Sequence, residues 1–430
     1  MVFDVIVIGG GASGMMAAGR AAARGKKVLL LEKNVTLGEK LRISGGGRCN
    51  ILNAEEDARA LLKNYGDAEQ FLYSAFSQFG VPETFAFFEA LGLPLVVQAR
   101  KRAFPHTERA RDVARALERY LKQGNMTVKT GMKVSRIVTE KIGQQNRIAY
   151  VIAGKDKTKE NYTADSYIIA TGGVSHPETG STGDGFKWLK ALGHGVVTPT
   201  PTVVPLSVKE RWVHDLSGVS LSFMKITFFL DDEKGGTTNT QGKLKKQFSK
   251  TGKLLFTHFG LSGPLILNIA GKVNDLLEAG AVTAEIDAYP DTDIGALEKK
   301  IIAVFDKNKN RMLKNVFKDI VPKGMGDILE TLLSSINPET KVHSITKEER
   351  REIADTLKAL PLTITGLMGY DRAVVADGGI PLSEMDMKTM RSKELKNLFI
   401  TGDLLHINRP SGGFSLQLCW TTGFVAGSNA

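Results

Sequence analysis

The fold is decided by the stretch Asp4-Val5-Ile6-Val7-Ile8-Gly9-Gly10-Gly11-Ala12-Ser13-Gly14 near the start of the chain. Its run of Val and Ile residues predicts a short buried parallel strand. Gly9, Gly11 and Gly14 follow with the spacing G-x-G-x-x-G. In this spacing the first glycine permits a tight turn, the second lets a pyrophosphate approach the backbone, and the third lets the next helix pack closely on the strand. That helix would present free N–H groups and a positive dipole end to phosphates.

An acidic residue follows at the position that this motif requires. We expect an alanine-rich helix to about Arg24, a stop at Gly25, and a second strand over residues 26–31 that ends at Glu32. Glu32 lies eighteen residues after Gly14, where an acid accepts hydrogen bonds from a ribose. A lone glycine motif is weak evidence, but the agreement of strand, helix and acid predicts dinucleotide binding. The acid suits a free 2′-hydroxyl, as in FAD or NAD rather than NADP.

The length and composition are those of a globular protein with several domains. A chain of 430 residues exceeds one compact domain, so two or three are expected. No apolar run approaches the roughly eighteen residues of a membrane span, and the N-terminus shows no basic leader or cleavage site. We therefore expect a cytoplasmic protein without a membrane partner, and we leave its oligomeric state open. Cys49 and Cys419 form no metal-binding pattern, so no metal site is expected.

The formal net charge of +11 has two explanations. The first is a basic solvated surface with some positive charges that face phosphates. The second is a nucleic-acid partner or an anionic substrate. We favour the first and keep nucleic acid as the alternative, which draws on the lysines at positions 243, 245, 246, 250 and 253.

Four segments place glycine or a helix start where a ligand could approach the backbone. Residues 44–50 (Ser-Gly-Gly-Gly-Arg-Cys-Asn) follow the second strand, and a flexible surface loop is the alternative interpretation. Residues 165–173 predict a buried strand that ends in Ala-Thr-Gly-Gly. Residues 398–403 predict another, which ends in Thr-Gly-Asp, at the strand end where α/β sheets bind ligands. Residues 409–417 open a last helix whose N-terminus could face a polar ring edge.

The middle of the chain predicts β structure and then helices. Residues 126–154 predict a β-meander, with strands at 127–129, 133–139 and 147–152, in place of a helical crossover. Strand-like runs beyond about residue 195 give way to a lysine-rich helical pattern. This order predicts a doubly wound α/β domain, an inserted β-rich subdomain and a small helical subdomain.

These motifs resemble a known group of flavoproteins. The first glycine motif, the strand end at 170–173 and the Thr-Gly-Asp at 401–403 together resemble the glutathione-reductase superfamily, whose members have two dinucleotide-binding domains. Residues 44–50, 257–264 and 411–414 resemble one bacterial family within it. That family is usually described as NAD(FAD)-utilising dehydrogenases or aminoacetone-oxidase-like FAD-binding enzymes, and it includes a reductase of bile-acid steroid rings.

The resemblance implies a domain organisation. A Rossmann-like FAD-binding domain would be built from residues 1–192 and 362–430. Residues 193–361 would form the inserted β-rich and helical subdomains that cover the flavin and shape the substrate pocket. We find a single G-x-G-x-x-G in a strand–helix context, which argues against a permanent NAD domain but not against transient docking of NAD(P)H.

The resemblance also implies FAD as the tightly held cofactor and a set of residues around it. By this resemblance, Gly9, Gly11 and Gly14 would form the pyrophosphate loop, and Glu32 would bind the adenosine ribose. The backbone of Val134 would meet the adenine, and Asp403 would bind the ribityl chain or pyrophosphate-linked waters. The helix N-terminus at residues 413–417 would face the pyrimidine end of the flavin. The full set of residues is Gly9, Gly11, Ala12, Ser13, Gly14, Glu32, Lys33, Lys40, Ser44, Gly45, Gly46, Gly47, Arg48, Cys49, Asn50, Val134, Ala170, Thr171, Gly172, Gly173, Gly402, Asp403, Gly413, Phe414, Ser415, Leu416 and Gln417.

The residues that touch the substrate are harder to name, because flavin itself carries the hydride chemistry. His258 is the candidate proton donor, and a structural histidine is the alternative. Arg409 could hold an anionic group of the substrate, or it could brace its glycine loop, and the same choice applies to Arg48. Cys49 could be redox-active beside the flavin, although a packed thiol is the better interpretation.

The expected function is an FAD-dependent oxidoreductase that transfers a hydride between flavin N5 and a small organic substrate. NAD(P)H could be the reductant, or the substrate itself could reduce the flavin with oxygen as acceptor. Two alternatives stay open. One is a flavoprotein that binds or modifies RNA, and the other is a flavin-binding redox sensor without turnover.

Overall fold

The computed structural model describes residues 2–155, 158–231, 245–326 and 328–430. The chain forms two compact units. The first comprises residues 1–201 and 370–430, and the second comprises residues 202–369. The second unit thus begins nine residues after the expected position 193 and ends eight residues after the expected position 361.

The strands and helices are numbered along the chain, within the described residues. The strands are β1 (Val2–Ile8), β2 (Val28–Leu31), β3 (Leu52–Asn53), β4 (Leu95–Gln98), β5 (Arg102–Pro105), β6 (Met126–Lys129), β7 (Lys133–Ile142), β8 (Gln145–Gly154), β9 (Glu160–Ile169), β10 (Val197–Val203), β11 (Leu206–Val208), β12 (Ser220–Asp231), β13 (Lys245–Thr257), β14 (Gly260–Ser262), β15 (Ala281–Asp287), β16 (Leu360–Leu367), β17 (Val375–Gly379) and β18 (Leu398–Ile400). The helices are α1 (Ala12–Ala23), α2 (Glu39–Ile43), α3 (Ala58–Leu62), α4 (Glu69–Gln78), α5 (Val81–Ala90), α6 (Ala110–Leu121), α7 (Asp184–Ala191), α8 (Arg211–Asp215), α9 (Pro264–Ala279), α10 (Ile294–Lys307), α11 (Phe317–Ile320), α12 (Ile328–Leu332), α13 (Lys347–Lys358) and α14 (Phe414–Asn429).

A parallel sheet forms the centre of the first unit. β1 pairs with β2 on one side and β9 on the other, β6 extends the sheet beyond β2, and β18 pairs with β9. Ile8 lies opposite both Leu31 and Ile169, and Ile400 also lies opposite Ile169. The carboxyl ends of these strands therefore lie together at one edge, where doubly wound sheets bind their ligands. This confirms the predicted Rossmann-like fold.

The predicted meander was wrong in one strand. β6 pairs in parallel with β2 and belongs to the central sheet, whereas the antiparallel ribbon consists of β7, β8 and β9. The neighbours of β6 along the chain suggested an antiparallel partner, but β2 lies about a hundred residues earlier in the sequence.

The last helix packs against the first through small residues. A Cβ atom built on Gly423 would lie 2.5 Å from the carbonyl oxygen of Ser13, and one on Gly427 would lie 2.3 Å from that of Ala17. Glycine at these two positions of α14 lets its backbone approach α1 closely. This packing fixes α1, and thus the glycine motif before it, against the C-terminal segment.

The second unit contains a closed β-barrel and helices. The strand order around the barrel is β11-β14-β13-β12-β15-β16, with all pairings antiparallel. Helices α10 and α13 lie in the same unit. The barrel and the helices confirm the predicted inserted β-rich and helical subdomains.

Among the helices of the described residues, none combines the length and the apolar character that crossing a membrane requires.

Candidate cofactor site

The glycine motif forms a tight turn between β1 and α1. Gly9 adopts φ = +106°, and a Cβ atom there would lie 2.5 Å from the carbonyl oxygen of Ala170. A Cβ atom on Gly14 would lie 1.9 Å from the carbonyl oxygen of Gly9. Larger residues at these positions would separate β1, α1 and β9 from one another. The sequence motif thus has the packing role that was predicted for it.

The N-terminus of α1 is open to a ligand. Its N-cap residue is Gly11, which offers no side-chain hydrogen bond to the first turn. A Cβ atom on Gly11 would meet no described atom within 4 Å. The free N–H groups of the first turn and the positive end of the helix dipole therefore point at open space, as a pyrophosphate site requires.

Glu32 is buried at the end of β2, with 7% of its surface exposed. Its Oε2 accepts a hydrogen bond from the Gly10 amide at 2.6 Å, and its Oε1 accepts one from the Asn34 amide at 2.7 Å. These bonds hold the carboxylate beside the glycine turn. Each carboxylate oxygen keeps a further lone pair that could accept a ribose hydroxyl. The neighbouring Lys33 is occupied, since its Nζ donates to Thr182 and Asp184.

The triple-glycine segment forms a tight turn after α2. Gly45, Gly46 and Gly47 all have positive φ values, between +58° and +84°, so side chains would strain this turn. Cβ atoms on Gly46 and Gly47 would meet no described atom within 4 Å. The backbone of this turn is therefore available to a flat or anionic ligand.

Arg48 braces this turn rather than pointing a free charge at a ligand. Its guanidinium donates to Glu108 at 2.6 and 3.0 Å and to Gln98 at 2.8 Å, and it lies 4.4 Å from the centre of the Phe104 ring. Of the two interpretations offered for Arg48, these contacts support bracing.

Both cysteines are buried thiols. Burial raises the pKa of Cys49 to about 12, although a hydrogen bond with Ser44 acts in the opposite direction. Burial likewise raises the pKa of Cys419 to about 12, with the charge of Asp403 acting in the same direction. Because the thiolate is the reactive form, neither side chain fits a redox-active thiol.

A buried ion pair joins the end of β18 to the start of α14. Arg409, whose side chain is 2% exposed, pairs with Asp403. It also donates to the carbonyl oxygen of Ile407 at 2.6 Å and to the Ser415 hydroxyl at 3.0 Å. Each of the three guanidinium nitrogens thus donates a hydrogen bond within the protein, which supports the bracing role of Arg409 over contact with a substrate anion.

Lys40 lies partly buried near this ion pair. Burial lowers the pKa of its ammonium group, and the negative charge of Asp403 partly offsets that effect. The part of the chain that the structure describes offers this ammonium no hydrogen-bond partner and no carboxylate within 4 Å. A charged side chain held in this way fits an anionic or polar ligand edge.

The start of α14 lies close to β3. Gly413 adopts φ = +102°, and a Cβ atom there would lie 2.2 Å from the carbonyl carbon of Leu52. The next residue, Phe414, accepts a hydrogen bond at its carbonyl oxygen from the Tyr65 hydroxyl at 2.9 Å. Leu416 is half-buried in the first turn. The N-terminus of this helix, like that of α1, has no side-chain cap.

Gln417 is fully buried and turned towards α5. Its Nε2 donates to the hydroxyls of Thr84 and Thr421, both at 3.0 Å, whereas its Oε1 has no partner among the described residues. Sequence reasoning missed Thr84 and Tyr65 as supports of this helix, and no motif marks either of them.

Polar groups also follow the ends of strands β9 and β18. Thr171 follows β9, and its buried hydroxyl has no partner within the described part of the chain. Gly172 has φ = +71°, and Gly173 packs beside the carbonyl oxygen of Asp403. The Gly402 amide donates to the Thr422 hydroxyl at 3.0 Å.

These features fit FAD. An uncapped helix N-terminus, a buried acid beside it and a triple-glycine turn are the groups that a dinucleotide and a flat ring require. The buried acceptors Asn50 Oδ1, Thr171 Oγ1 and Gln417 Oε1 lack partners within the described residues. Since buried polar atoms are nearly always hydrogen-bonded, these atoms are consistent with a bound polar group.

Two further predicted residues come from other segments of the chain, although the amide of Met132, two residues before Val134, donates to the carbonyl oxygen of Glu32 at 2.8 Å. Val134 is buried near the start of β7, opposite Ala153. His258 is exposed in the turn between β13 and β14 of the second unit, and its ring packs edge-on against Phe259 at 4.9 Å. The residues that the first unit brings together therefore do not include His258.

Residues 3–429 match the sequence model of a family described as "HI0933-like protein Rossmann domain". A relative from Clostridium scindens, a 3-dehydro-bile acid delta(4,6)-reductase, is 28% identical over 99% of this chain and 98% of its own length. A ribosomal RNA dihydrouridine synthase from Haemophilus influenzae is 26% identical over 98% of this chain and 96% of its own length. Among solved structures, the 3-ketosteroid delta1-dehydrogenase of Sterolibacterium denitrificans shares the fold, with a TM-score of 0.53 and 12% identity over 99% of this chain and 98% of that one.

Proposed function

We propose, from the premise that the chain belongs to the HI0933-like protein Rossmann-domain family and is an FAD-dependent oxidoreductase, that it reduces a carbon–carbon double bond conjugated to a carbonyl group in a small organic ring. When bound, FAD would supply the hydride from N5. The β-carbon of the conjugated bond would accept that hydride, and the α-carbon would take up a proton.

The substrate class is proposed from what two relatives have in common. A delta(4,6)-reductase of a 3-dehydro-bile acid acts on double bonds in conjugation with a 3-oxo group. A dihydrouridine synthase acts on a uracil ring, whose 5,6 double bond is conjugated to the 4-oxo group. Both relatives span nearly the whole chain, and this shared chemistry is the observation that carries the proposal.

Residues of the first unit would position the cofactor. The open N-terminus of α1 would bind the pyrophosphate, and Glu32 would hold the adenosine ribose. The Gly45–Gly47 turn would lie against the ring system, and the α14 N-terminus would stabilise negative charge at its pyrimidine end. Lys40 would add positive charge there, and the Asp403–Arg409 pair would keep the α14 loop in place.

The source of the proton stays a proposal. His258 is the candidate donor, because a protonated imidazole can serve as a general acid. A transiently docked NAD(P)H is proposed as the reductant, and oxidation of the organic substrate with oxygen as acceptor is the competing direction.

A second candidate substrate is a uracil ring within RNA. The observation that favours it is the likeness to the ribosomal RNA dihydrouridine synthase over 98% of the chain, together with the net charge of +11.

The proposal is tested by reoxidation of the reduced holoenzyme. Protein with FAD bound is reduced anaerobically and mixed with a 4-ene-3-oxosteroid or with a short uridine-containing RNA, while the flavin absorbance is followed. Rapid reoxidation by either compound, with a product that has gained two hydrogens, is the expected result. Reoxidation by oxygen alone, with no product from either compound, would contradict the proposal. A protein that binds FAD but exchanges electrons with no donor or acceptor would instead fit the redox-sensor alternative.

A further inference from the structure

One face of the barrel hairpin β12–β13 is turned outwards. Leu221, Met224, Ile226 and Phe228 are buried, so the residues between them on β12 point away from the barrel interior. On the outer face, Lys225 lies opposite Thr251, and the hydroxyls of Thr227 and Ser249 lie 3.0 Å apart. The outer surface of this hairpin is thus polar, and its charge comes from lysine.

Strand β13 carries exposed lysines that lack carboxylate partners. Lys245, Lys246, Lys250 and Lys253 are all exposed, and within the described residues, which exclude Lys243, none has a carboxylate oxygen within 4 Å. Lys250 lies opposite the buried Ile226 and shares its face, whereas Lys246 lies opposite Phe229 on the outer face and Lys253 alternates with the buried Leu254. By contrast, cations elsewhere in the same unit pair with acids, as in Lys314–Glu339 and Arg351–Glu298. Lys246 and Lys253 are therefore the outward-facing lysines of β13, with no carboxylate partner among the described residues, and we call this pair the lysine strip.

Carboxylates mark one border of the lysine strip. Glu285 and Asp287 on β15 lie opposite Thr227 and Lys225, on the side of β12 away from β13. Asp287 is already paired with Lys358 at 2.7 Å. The charge on this surface thus changes sign across β12, and an anionic partner would follow β13.

An exposed aromatic side chain lies beside the lysine strip. Phe223 is 69% exposed and adopts φ = +59°, a left-handed conformation that bulky residues rarely take. The strand register shifts between the pairs Leu221–Leu254 and Met224–Gly252, which places Phe223 in a bulge opposite Lys253. Bulges of this kind re-aim side chains and are found near functional sites.

We propose that the lysine strip and Phe223 together bind single-stranded RNA. The lysines would contact phosphates along β13, and Phe223 would stack on an unpaired base, which is how sequence-tolerant single-strand binding proteins combine charge and aromatic side chains. From Lys246 to Lys253 the strand spans about 23 Å at roughly 3.3 Å per residue. This length fits a chain of nucleotides better than one small anion. The inference rests on the second candidate substrate of the proposed function.

The test measures RNA affinity of the holoenzyme by fluorescence anisotropy with a labelled single-stranded oligonucleotide that contains uridine. The double variant Lys246→Gln/Lys253→Gln should bind at least tenfold more weakly, and the slope of log K against log salt should fall by about 1.4 for two lost phosphate contacts. The matched control Lys299→Gln/Lys307→Gln removes the same charge from exposed lysines of α10 and should leave both quantities unchanged.

A second variant separates stacking from charge. Phe223→Ala should weaken binding about tenfold without a change in the salt slope. Its control is Ile302→Ala, which truncates an apolar side chain of α10 that is 41% exposed. Duplex RNA of the same sequence should bind more weakly than the single strand, because its bases cannot stack on Phe223.

Several results would overturn this assignment. They are absence of RNA binding by the unmodified holoenzyme, equal losses in the β13 and α10 variants, or equal affinity for the duplex. Reduction of a small 4-ene-3-oxosteroid is measured in parallel on every variant and should not change. If RNA binding depended on β13 but the protein reduced no substrate, the proposed function would be contradicted. The assignment of the RNA-binding surface would still hold.

Discussion

At the scale of single residues, Glu32 connects the sequence motif to the proposed cofactor most directly. The sequence predicts its position, and the structure adds that both carboxylate oxygens already accept backbone amides, from Gly10 and Asn34. The acid therefore shapes the turn as well as offering oxygens to a ribose.

Replacing Glu32 should weaken both cofactor binding and the fold. In Glu32→Ala the buried amide of Gly10 and the partly buried amide of Asn34 lose their acceptor, and the buried one costs about 1–3 kcal/mol if it stays unpaired. We expect FAD affinity to fall at least tenfold and the Tm to decrease, measured by fluorescence titration and thermal unfolding. Asp165→Ala, which removes an exposed acid of β9, is the control. Unchanged FAD occupancy in Glu32→Ala would mean that another residue holds the ribose.

The two thiols give a prediction about pH. Burial raises the pKa of both Cys49 and Cys419 to about 12, so both stay protonated below that pH in the folded protein. Alkylation of the native protein by iodoacetamide should therefore stay slow and nearly constant between about pH 7 and 9. The unfolded chain, with ordinary thiols of pKa about 8.5, should react faster as the pH rises. Mass spectrometry of the labelled protein measures this, and rapid native labelling of either cysteine would contradict buried thiols.

The sequence identifies the residues of the glycine motif but not the long-range partners of the other site residues. Gly9, Gly11, Gly14 and Glu32 were identifiable because each is required by local backbone geometry or by spacing. The partners of Gln417 could not be predicted, because Thr84 lies 333 residues away along the chain. The same holds for Arg409, whose burial depends on how the loops around Asp403 and Ser415 pack.

At the scale of elements, close packing of α14 on α1 links the two ends of the chain. The glycines at positions 423 and 427 make this contact possible, although the sequence shows them only as small residues in an apolar helix. The strand β6 shows the same difficulty. Its four residues predict a strand correctly, but its parallel partner is fixed by the tertiary fold and not by its neighbours in sequence.

Adding a methyl group at the α1–α14 contact should destabilise the first unit. In Gly423→Ala the new Cβ would meet the Ser13 carbonyl oxygen at 2.5 Å, and overpacking of this kind costs about 1–3 kcal/mol. We expect a lower Tm and weaker FAD retention. Gly271→Ala on α9 is the control, because its Cβ position has no described atom within 4 Å. That control should stabilise the protein by up to about 1 kcal/mol, and equal effects of the two variants would contradict the packing argument.

At the scale of the whole molecule, the chain combines a Rossmann-like unit made from both ends of the sequence with a barrel-containing unit between them. The strand and helix patterns predicted an α/β domain with β-rich and helical subdomains, and the resemblance to the flavoprotein family added that the first domain comes from both ends of the chain. The unit limits at 201/202 and 369/370 differ from the expected ones, because the linker residues carry no signal that distinguishes a domain edge from a loop. The candidate flavin site lies in the first unit, and the proposed RNA surface lies in the second.

The proposed enzyme takes electrons from NAD(P)H onto its flavin and passes them to a conjugated carbon–carbon double bond. The measurement that tests this proposal most directly is the absorbance spectrum of the purified protein, followed by anaerobic addition of NADH and then NADPH. We predict flavin absorbance bands, either as purified or after addition of FAD, that bleach rapidly with one of the two nucleotides. Flavin bands that persist with both nucleotides would favour an oxidase or a redox sensor. A protein that binds no FAD at all would contradict the assignment as a flavoenzyme.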